Sequence, residues 1–212
     1  MSSKKTKTAL ITGISGMVGS HLAEYLMSHT DWSIHGLIRW RSPLENLENI
    51  IPYVNNQQRV YFHYGDLRDA QSINKVVKEV KPDYVFHLAA QSYPLTSFDA
   101  PIDTYETNIS GTSILLESIK NNCKESIVHV CASSEVFGRV PKDKLPINEE
   151  CNFHPASPYA ISKIGTDLVG RFYAEAYNMK VMTTRMFTHT GPRRGDVFAE
   201  STFAKQIALA EA

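Results

Sequence analysis

Cysteine, net charge and long apolar runs are all scarce in this sequence of 212 residues. Its three cysteines are an odd number without CxxC spacing, so neither a disulfide framework nor a metal site is expected, and a reducing compartment is favoured. The chain has 22 lysines and arginines together and 22 aspartates and glutamates together, so its formal net charge is zero. It therefore has no overall positive electrostatic field to attract nucleic acid. No apolar stretch approaches the roughly 18 residues that cross a bilayer, and the N-terminus lacks a signal peptide's apolar core. We therefore expect a cytoplasmic protein that binds neither nucleic acid nor a membrane.

The composition that remains is that of an ordinary globular protein, with 42% hydrophobic and 21% charged residues. Strand-like and helix-like segments alternate along it. The strand-like runs are residues 8–12, 33–38, 60–64, 84–88, 127–131 and 181–187. The helical patterns are residues 17–28, 70–80, 102–121, 159–177 and a last one from 201 to the end. This alternation predicts an α/β fold with a doubly wound parallel sheet, in which ligands bind at the carboxyl ends of the strands.

A glycine motif follows the first predicted strand and opens the first helix. Its glycines are Gly13, Gly16 and Gly19, spaced as GxxGxxG, with Ser15 and Met17 between them. The first glycine permits a tight turn, the second lets backbone amides approach a pyrophosphate, and the third lets the helix pack closely. The motif predicts a dinucleotide site, and a merely tight turn between strand and helix is the alternative.

The end of the second predicted strand is cationic. Arg39 stands about 20 residues past the last glycine, where NAD enzymes carry an acidic residue for the ribose hydroxyls. With Arg41 and Ser42 beside it, this position suits a 2′-phosphate, so the sequence predicts NADP rather than NAD as the cofactor. The alternative is that these arginines are solvated loop charges.

Two further strand ends fit the same cofactor, although either can be a simple turn. After the third strand, the carboxylate of Asp66 and a backbone amide near Leu67 are placed to contact adenine. After the fourth strand, small residues let the chain run close under the nicotinamide half of a dinucleotide. The segment is Leu88, Ala89, Ala90, Gln91 and Ser92, in which Ala89, Ala90 and Ser92 are the small residues.

A candidate catalytic group lies near the fifth strand and the helix that follows it. Tyr159 and Lys163 are four residues apart, so they share a helix face, and the ammonium is expected to lower the pKa of the phenol toward a usable general base. At the end of the fifth strand, the hydroxyl of Ser133 can bind a substrate alcohol and the carboxylate of Glu135 can take a second proton. A helix-capping cluster is the alternative for residues 133–135.

Five motifs, in their order and spacing, resemble those of the extended short-chain dehydrogenases/reductases that act on nucleotide sugars. They are GxxGxxG, GDL, LAAQS, SSEVFG and SPYAISK. Within that family the sequence is most similar to the GDP-mannose 4,6-dehydratases, through IRWRS after the second strand and THTGPRRGDVF after the sixth. The resemblance implies an NADP-binding Rossmann domain with the catalytic residues at 1–190. It also implies that residues 191–212 begin a C-terminal substrate-binding lobe, most of which is missing.

The same resemblance implies an internal redox cycle that converts GDP-mannose, or a similar nucleotide-linked hexose, to a 4-keto-6-deoxy sugar. NADP⁺ takes hydride from C4 while Tyr159, helped by Lys163 and Ser133, removes the hydroxyl proton. Glu135 then removes the C5 proton, water leaves from C6, and hydride returns to C6. Simple epimerases of the family lack a carboxylate at this position, so Glu135 discriminates between the two activities.

Further contacts are also assigned by the resemblance. Cofactor contacts are implied for Tyr105, His189 and Arg194. Substrate contacts are implied for Ser92, Ser133, Ser134 and Thr188. The resemblance also implies contacts with another subunit through the helical segments 102–121 and 159–177 and through the RRG loop. A homodimer or homotetramer is therefore the expected assembly.

Some residues depart from the dehydratase pattern. Thr188 stands where relatives commonly have Asn, Ser133 stands where the dehydratases have Thr, and residues 203–207 are similar to the related GDP-4-keto-6-deoxy-mannose reductase. That reductase, which consumes NADPH stoichiometrically, and a nucleotide-sugar epimerase are therefore alternative functions. A catalytically silent NADP-binding module is an alternative of another class.

Overall fold

A computed structural model describes residues 6–56 and 59–211 of the chain. Its centre is a sheet of six strands in the order β3-β2-β1-β4-β5-β6, and every adjacent pair is parallel. The strands are β1 (Thr8–Thr12), β2 (Ser33–Ile38), β3 (Val60–Tyr64), β4 (Tyr84–His87), β5 (Ile127–Cys131) and β6 (Lys180–Thr184). Because the order runs outward from β1 in both directions, the predicted doubly wound Rossmann sheet is confirmed.

Helices connect the strands. They are α1 (Met17–His29), α2 (Ile51–Asn55), α3 (Ala70–Val80), α4 (Pro94–Asp99), α5 (Pro101–Tyr105), α6 (Gly111–Asn122), α7 (Pro158–Tyr177) and α8 (Ala199–Glu211). A π-helical turn, Glu106–Ser110, joins α5 to α6, and short 3₁₀ turns lie at Glu45–Leu47, Ser134–Val136 and Lys142–Lys144. Within the described residues, none of these helices has both the length and the apolarity to cross a membrane.

Each face of the sheet has its own buried cluster. On one face, Leu10, Val85 and Val128 pack against α3 and α6. On the other, Ile11 and Ile34 pack against α1. Burial on both faces explains why the central strand β1 reads as a nearly continuous apolar run. The parallel arrangement puts the carboxyl ends of all six strands at one edge of the sheet.

The sixth strand is shorter than predicted, because β6 ends at Thr184 rather than at residue 187. Its partner β5 ends at Cys131, which lies opposite Thr184 in the register. Beyond this point the backbone N–H of Ser134 donates to the carbonyl of Met186 at 2.9 Å, outside the regular ladder. Similarly, β4 ends at His87, one residue before the predicted end. The released residues are free to contribute to the cleft described below.

The predicted helix 102–121 is in fact α5, the π turn and α6 in succession. The Asn108 carbonyl inside the turn accepts hydrogen bonds from the Thr112 and Thr166 hydroxyls, and these contacts compete with regular helical bonding. The short helices α2 and α4 were not predicted. The last predicted helix is observed as α8, and Ala212 at its predicted end lies outside the described residues.

Candidate active site

A cleft of about 1160 Å³ opens at the carboxyl ends of β1, β2, β4, β5 and β6. It brings together most of the residues that the sequence predicts for cofactor, substrate and catalysis. Those that line it are Gly13, Ser15, Gly16, Met17, Gly19, Arg39, Leu88, Ala90, Ser92, Ser133, Ser134, Glu135, Tyr159, Lys163, Thr188, His189 and Arg194. Residues far apart in sequence therefore share one site because a parallel sheet gathers its strand ends.

The loop between β1 and α1 requires glycine on steric grounds. Gly13 has φ of +72°, and a Cβ there would lie 2.8 Å from the Ala89 nitrogen. A Cβ on Gly19 would lie 2.3 Å from the Gly13 carbonyl oxygen. In the described chain, Gly16 precedes α1 without a side-chain cap, and the first helical turn holds no acidic residue. The loop thus leaves backbone N–H groups and the positive end of the helix dipole available to an anion.

Local capping fixes the start of α7, which carries Tyr159 and Lys163. The Ser157 hydroxyl accepts a hydrogen bond from the Ala160 N–H at 3.0 Å, and the Tyr159 N–H donates to the Ser97 hydroxyl at 3.0 Å. Ser97 is buried, so α4 holds the helix start from a second side. These contacts satisfy backbone groups that a helix N-terminus otherwise leaves unpaired and hold Tyr159 in the cleft.

Ser133 and Glu135 reach the cleft from the end of β5. The Ser133 hydroxyl accepts a hydrogen bond from the Glu135 N–H at 3.2 Å and so caps the turn Ser134–Val136. Capping and a catalytic role are therefore compatible here rather than exclusive. The Ser133 side chain is buried beside Tyr159, whereas Glu135 is exposed.

Burial dominates the titration of the tyrosine–lysine pair. It raises the pKa of Tyr159 to about 12, while hydrogen bonding to Ser133 and the charge of Arg194 act in the opposite direction. Burial also lowers the pKa of Lys163, whose Nζ donates to the Cys131 carbonyl at 2.8 Å. The net shift of the Tyr159 pKa is therefore upward in this structure, because desolvation of the phenolate outweighs the opposing effects, and Lys163 is not among the groups that lower it.

Several predicted cofactor residues do not line the cleft. They are Arg41, Ser42, Asp66, Leu67, Ala89 and Tyr105. The Ser42 hydroxyl accepts from the Arg39 N–H at 3.0 Å, and the Asp66 carboxylate accepts from the Arg68 N–H at 3.0 Å. Leu67 is a core residue, and the Ala89 N–H donates to the Thr12 hydroxyl at 3.1 Å. Arg41 is exposed and Tyr105 is half-buried on α5. Four of these six residues thus have structural contacts of their own.

Residues 192–198, here called the arginine segment, border the cleft on one side. The guanidinium of Arg194 lies 4.1 Å from the ring centroid of Phe198, and the rings of Phe198 and Tyr93 meet edge-on at 5.5 Å. Arg193 forms an ion pair with Glu24 of α1, with 2.7 Å between Nη2 and Oε1. The segment is therefore tied both to α1 and to the loop after β4.

Asn108 is a residue that the sequence analysis missed. It is buried in the π turn, where its Oδ1 accepts from the Gln91 N–H at 2.8 Å. Its Nδ2 donates to the Gln91 carbonyl at 2.9 Å and to the Ser162 hydroxyl at 2.8 Å. Asn108 thereby connects the loop after β4 to the part of α7 that carries Tyr159 and Lys163. The sequence offered little signal for it, because Thr104 and Thr112 on the same side of the predicted helix are also polar.

An ion pair between Arg185 and Asp167 supports the wall of the cleft beyond β6. Arg185 donates to both carboxylate oxygens of fully buried Asp167, at 2.9 and 3.2 Å, and to the Glu149 carbonyl at 2.8 Å. Its guanidinium also lies 4.8 Å from the ring centroid of Phe153. The pair, which no sequence motif indicated, anchors the chain directly before the lining residues 186–189.

Comparison with known proteins places this geometry in a class. The chain is similar to DesIV, a dTDP-glucose 4,6-dehydratase from Streptomyces venezuelae that was solved with NAD and TYD bound. The two structures match with a TM-score of 0.85 and 27% sequence identity, over 96% of this chain and 62% of DesIV. It is also similar to RMD from Pseudomonas aeruginosa complexed with NADPH, at TM-score 0.77 and 32% identity, covering 96% and 60%. Fold and cleft together define an extended short-chain dehydrogenase/reductase.

The family follows from the sequence. The GDP-mannose 4,6 dehydratase family matches residues 10–212, and the chain belongs to it. Relatives include a GDP-mannose 4,6 dehydratase of Drosophila melanogaster, 37% identical over 96% of this chain, and GDP-mannose 4,6 dehydratase 1 of Arabidopsis thaliana, 38% identical over 96%. The chain spans 52% and 58% of the lengths of these two relatives.

Proposed function

We propose that the chain binds a nicotinamide dinucleotide and carries the catalytic residues of a nucleotide-sugar 4,6-dehydratase, with GDP-mannose as the substrate. The observation that carries this proposal is the presence of Glu135 in the same cleft as Ser133, Tyr159 and Lys163. An oxidation at C4 needs only the last three groups. An elimination across C5 and C6 needs an additional base, and the exposed carboxylate of Glu135 supplies one.

The glycine-rich loop fits the diphosphate of a dinucleotide. Gly13 and Gly19 leave no space for a Cβ, and α1 begins beside them without a carboxylate in its first turn. This is the arrangement that lets a diphosphate approach backbone amides. The similar proteins solved with NAD and with NADPH support a nicotinamide cofactor.

NADP is the preferred form of that cofactor. Arg39 lines the cleft at the end of β2, where a 2′-phosphate of the adenosine ribose would lie, and its guanidinium can bind phosphate oxygens in a bidentate manner. We expect the dissociation constant for NADP⁺ to be lower than that for NAD⁺, and Arg39→Ala to reduce the difference. Tighter binding of NAD⁺ by the unchanged protein would refute this preference.

In the proposed reaction, Tyr159 accepts the proton of the C4 hydroxyl while Ser133 hydrogen-bonds the same oxygen. Because burial keeps the pKa of Tyr159 high, its phenolate requires nearby positive charge, and the charge of Arg194 acts in this direction. Lys163 lines the same cleft. Glu135 removes the proton from C5, which the adjacent 4-keto group acidifies, and passes it to the C6 hydroxyl, which leaves as water. When hydride adds at C6, C5 takes a proton from water through Glu135. A nicotinamide dinucleotide held by the glycine-rich loop and Arg39 would supply the hydride chemistry of the cycle.

Product analysis tests the proposal and separates it from its alternatives. The protein is incubated with GDP-mannose and NADP⁺, and a 4-keto product is detected by its absorbance in alkali. We expect this product without net change in the cofactor. Stoichiometric NADPH consumption with a 4-keto substrate supports a GDP-4-keto-6-deoxy-mannose reductase, and epimerised product without elimination supports an epimerase. Bound cofactor without any conversion of nucleotide hexoses supports a silent NADP-binding module.

A second copy of the chain is the proposed protein partner. Large apolar side chains stand exposed on α4, α5 and α7, which are helices that pack against one another. These side chains are Leu95, Phe98, Ile102, Ile161, Leu168 and Phe172. Exposed apolar surface of this kind marks an association site, and a homodimer is the simplest assembly that covers it.

A further inference from the structure

Two side chains outside the predicted site fasten the arginine segment to the glycine-rich loop. The Asn46 Nδ2 donates to the Ser15 carbonyl at 3.0 Å and to the Arg193 carbonyl at 3.2 Å. One amide group therefore joins two pieces of the cleft wall that are far apart in sequence. Glu24 makes the second link, since its Oε1 accepts from the Arg193 Nη2 at 2.7 Å.

The guanidinium of Arg193 is only partly satisfied by these contacts. Its Nη1 is buried and has no hydrogen-bond partner in the described part of the chain, although Arg193 lines the cleft. A buried donor without an acceptor is unfavourable, and a guanidinium is planar, so fixing Nη2 on Glu24 also fixes where Nη1 lies. An anion in the cleft is the acceptor that this nitrogen lacks.

The carboxylate of Glu24 is suited to hold an arginine in this way. Hydrogen bonding from Arg193 lowers the pKa of Glu24 below its ordinary value, so the side chain stays charged at neutral pH. The contact is then a charge-assisted hydrogen bond, which is stronger than a neutral one. Asn49 donates to the same Oε1 at 3.0 Å and helps to orient it.

We propose that Glu24 and Asn46 are positioning residues for phosphate binding, which hold Arg193 against the glycine-rich loop so that its guanidinium donates to a phosphate oxygen of the dinucleotide. The inference rests on the dinucleotide site of the proposed function and deepens it. Glu24 acts through the side chain of Arg193. Asn46 acts through the backbone of Arg193 and Ser15.

Calorimetric titration with NADP⁺ tests the inference on the full chain. We expect Arg193→Gln, Glu24→Gln and Asn46→Ala each to raise the dissociation constant about tenfold, as the loss of one charge-assisted contact predicts. In the double variant, Glu24→Gln should add less than about twofold to the effect of Arg193→Gln, because Glu24 acts through that arginine. A purely structural role for Glu24 would instead give additive effects.

Matched controls remove similar groups elsewhere. Glu48→Gln removes the same charge from an exposed position two residues from Asn46, and Asn121→Ala removes an exposed amide from α6. Both should bind NADP⁺ within about twofold of the unchanged protein. Thermal unfolding of every variant shows whether it is folded at the titration temperature.

The outcomes distinguish this inference from the proposed function. If the unchanged protein binds NADP⁺ and the variants bind it equally well, the positioning role is refuted while the dinucleotide site stands. If Glu24→Gln weakens binding by the same factor with and without Arg193, the coupling is refuted. If the unchanged protein binds no dinucleotide, the proposed function fails and the inference fails with it.

Discussion

At the scale of single side chains, the cleft combines a buried phenol with an exposed carboxylate. Tyr159 is 9% exposed and burial raises its pKa to about 12, whereas Glu135 is exposed in the middle of the short turn Ser134–Val136. Groups in such different environments suit different proton transfers. The phenol is suited to the C4 hydroxyl beside Ser133, and the carboxylate is suited to the acidified proton at C5.

Substitution of each group should therefore stop the reaction at a different step. We expect Tyr159→Phe to reduce turnover by at least about a hundredfold and to prevent oxidation at C4, because the proton acceptor is lost. Glu135→Gln should still allow reduction of the cofactor in a single turnover but release no water. Absorbance of the reduced nicotinamide distinguishes the two. The control is Glu150→Gln, which removes an exposed carboxylate from the loop that follows. Normal water release by Glu135→Gln would contradict the role proposed for Glu135.

A buried histidine gives a prediction about pH and stability. The two ring nitrogens of His87 lie 2.8 Å from the Thr12 hydroxyl and 3.0 Å from the Thr112 hydroxyl, and burial lowers its pKa from 6.5 to about 3. Between these values the unfolded state binds a proton that the folded state does not, so stability falls as the pH decreases.

We expect His87→Gln to reduce the slope of Tm against pH between pH 6.5 and about 3. Thermal unfolding followed by circular dichroism measures this slope. His154→Gln, which alters an exposed histidine, should leave it unchanged. A slope for His87→Gln equal to that of the unchanged protein would show that His87 does not carry the linkage.

At the scale of secondary-structure elements, the glycine-rich loop between β1 and α1 can form only if α1 packs closely against it. A Cβ on Gly19 would lie 2.3 Å from the Gly13 carbonyl, so alanine there must push the helix away from the loop. We expect Gly19→Ala to lower the free energy of unfolding by about 1–3 kcal/mol and to weaken dinucleotide binding.

Chemical denaturation and NADP⁺ titration measure both effects. Gly191→Ala is the matched control, because a Cβ on Gly191 would meet no atom within 4 Å among the described residues. If Gly19→Ala binds NADP⁺ as tightly as Gly191→Ala, close packing of α1 is not required for the site.

Elements also show what sequence can and cannot predict. The bounds of β1, β2, β3, β5 and α3 follow from local apolar pattern and turn residues, and the structure matches them. The break between α5 and α6 could not be predicted, because it depends on contacts of Asn108 with Gln91 and Ser162, which lie on other elements. A periodic sequence pattern indicates which face of a helix is apolar. It does not indicate where contacts with other elements interrupt the helix.

The same limit applies to the cleft. Residues in motifs at strand ends, such as Gly13 and Tyr159, could be predicted because the chemistry and the topology both restrict them. Asn46 could not, since its amide reaches the Ser15 carbonyl and, 147 residues away in sequence, that of Arg193. Asp66 was assigned to the cofactor from its position alone, and its engagement with Arg68 emerges only in three dimensions.

At the scale of the whole molecule, the chain has two unlike surfaces. One contains the cleft with its charged and hydroxyl groups, and the other exposes apolar side chains on α4, α5 and α7. Leu168 and Phe172 are 48% and 54% exposed and lie four residues apart on α7, so they share one face of the helix. This is the surface that we expect a second copy to cover.

Size-exclusion chromatography with light scattering tests the assembly. We expect a dimer or tetramer for the unchanged chain and a smaller species for the double variant Leu168→Glu, Phe172→Glu, because buried like charges oppose association. Leu209→Glu places the same charge on exposed α8 and should leave the assembly intact. An unchanged mass for the double variant would exclude α7 from the interface.

The fate of one hydrogen atom tests the proposed reaction most directly. The protein is incubated with GDP-mannose carrying deuterium at C4, together with NADP⁺, and the product is analysed by mass spectrometry and NMR. Because the hydride leaves C4 and returns to C6 of the same sugar, we expect a 4-keto-6-deoxy product with the deuterium at C6. Absence of such a product, or a product that has lost the label to solvent or to free cofactor, would contradict an internal redox cycle.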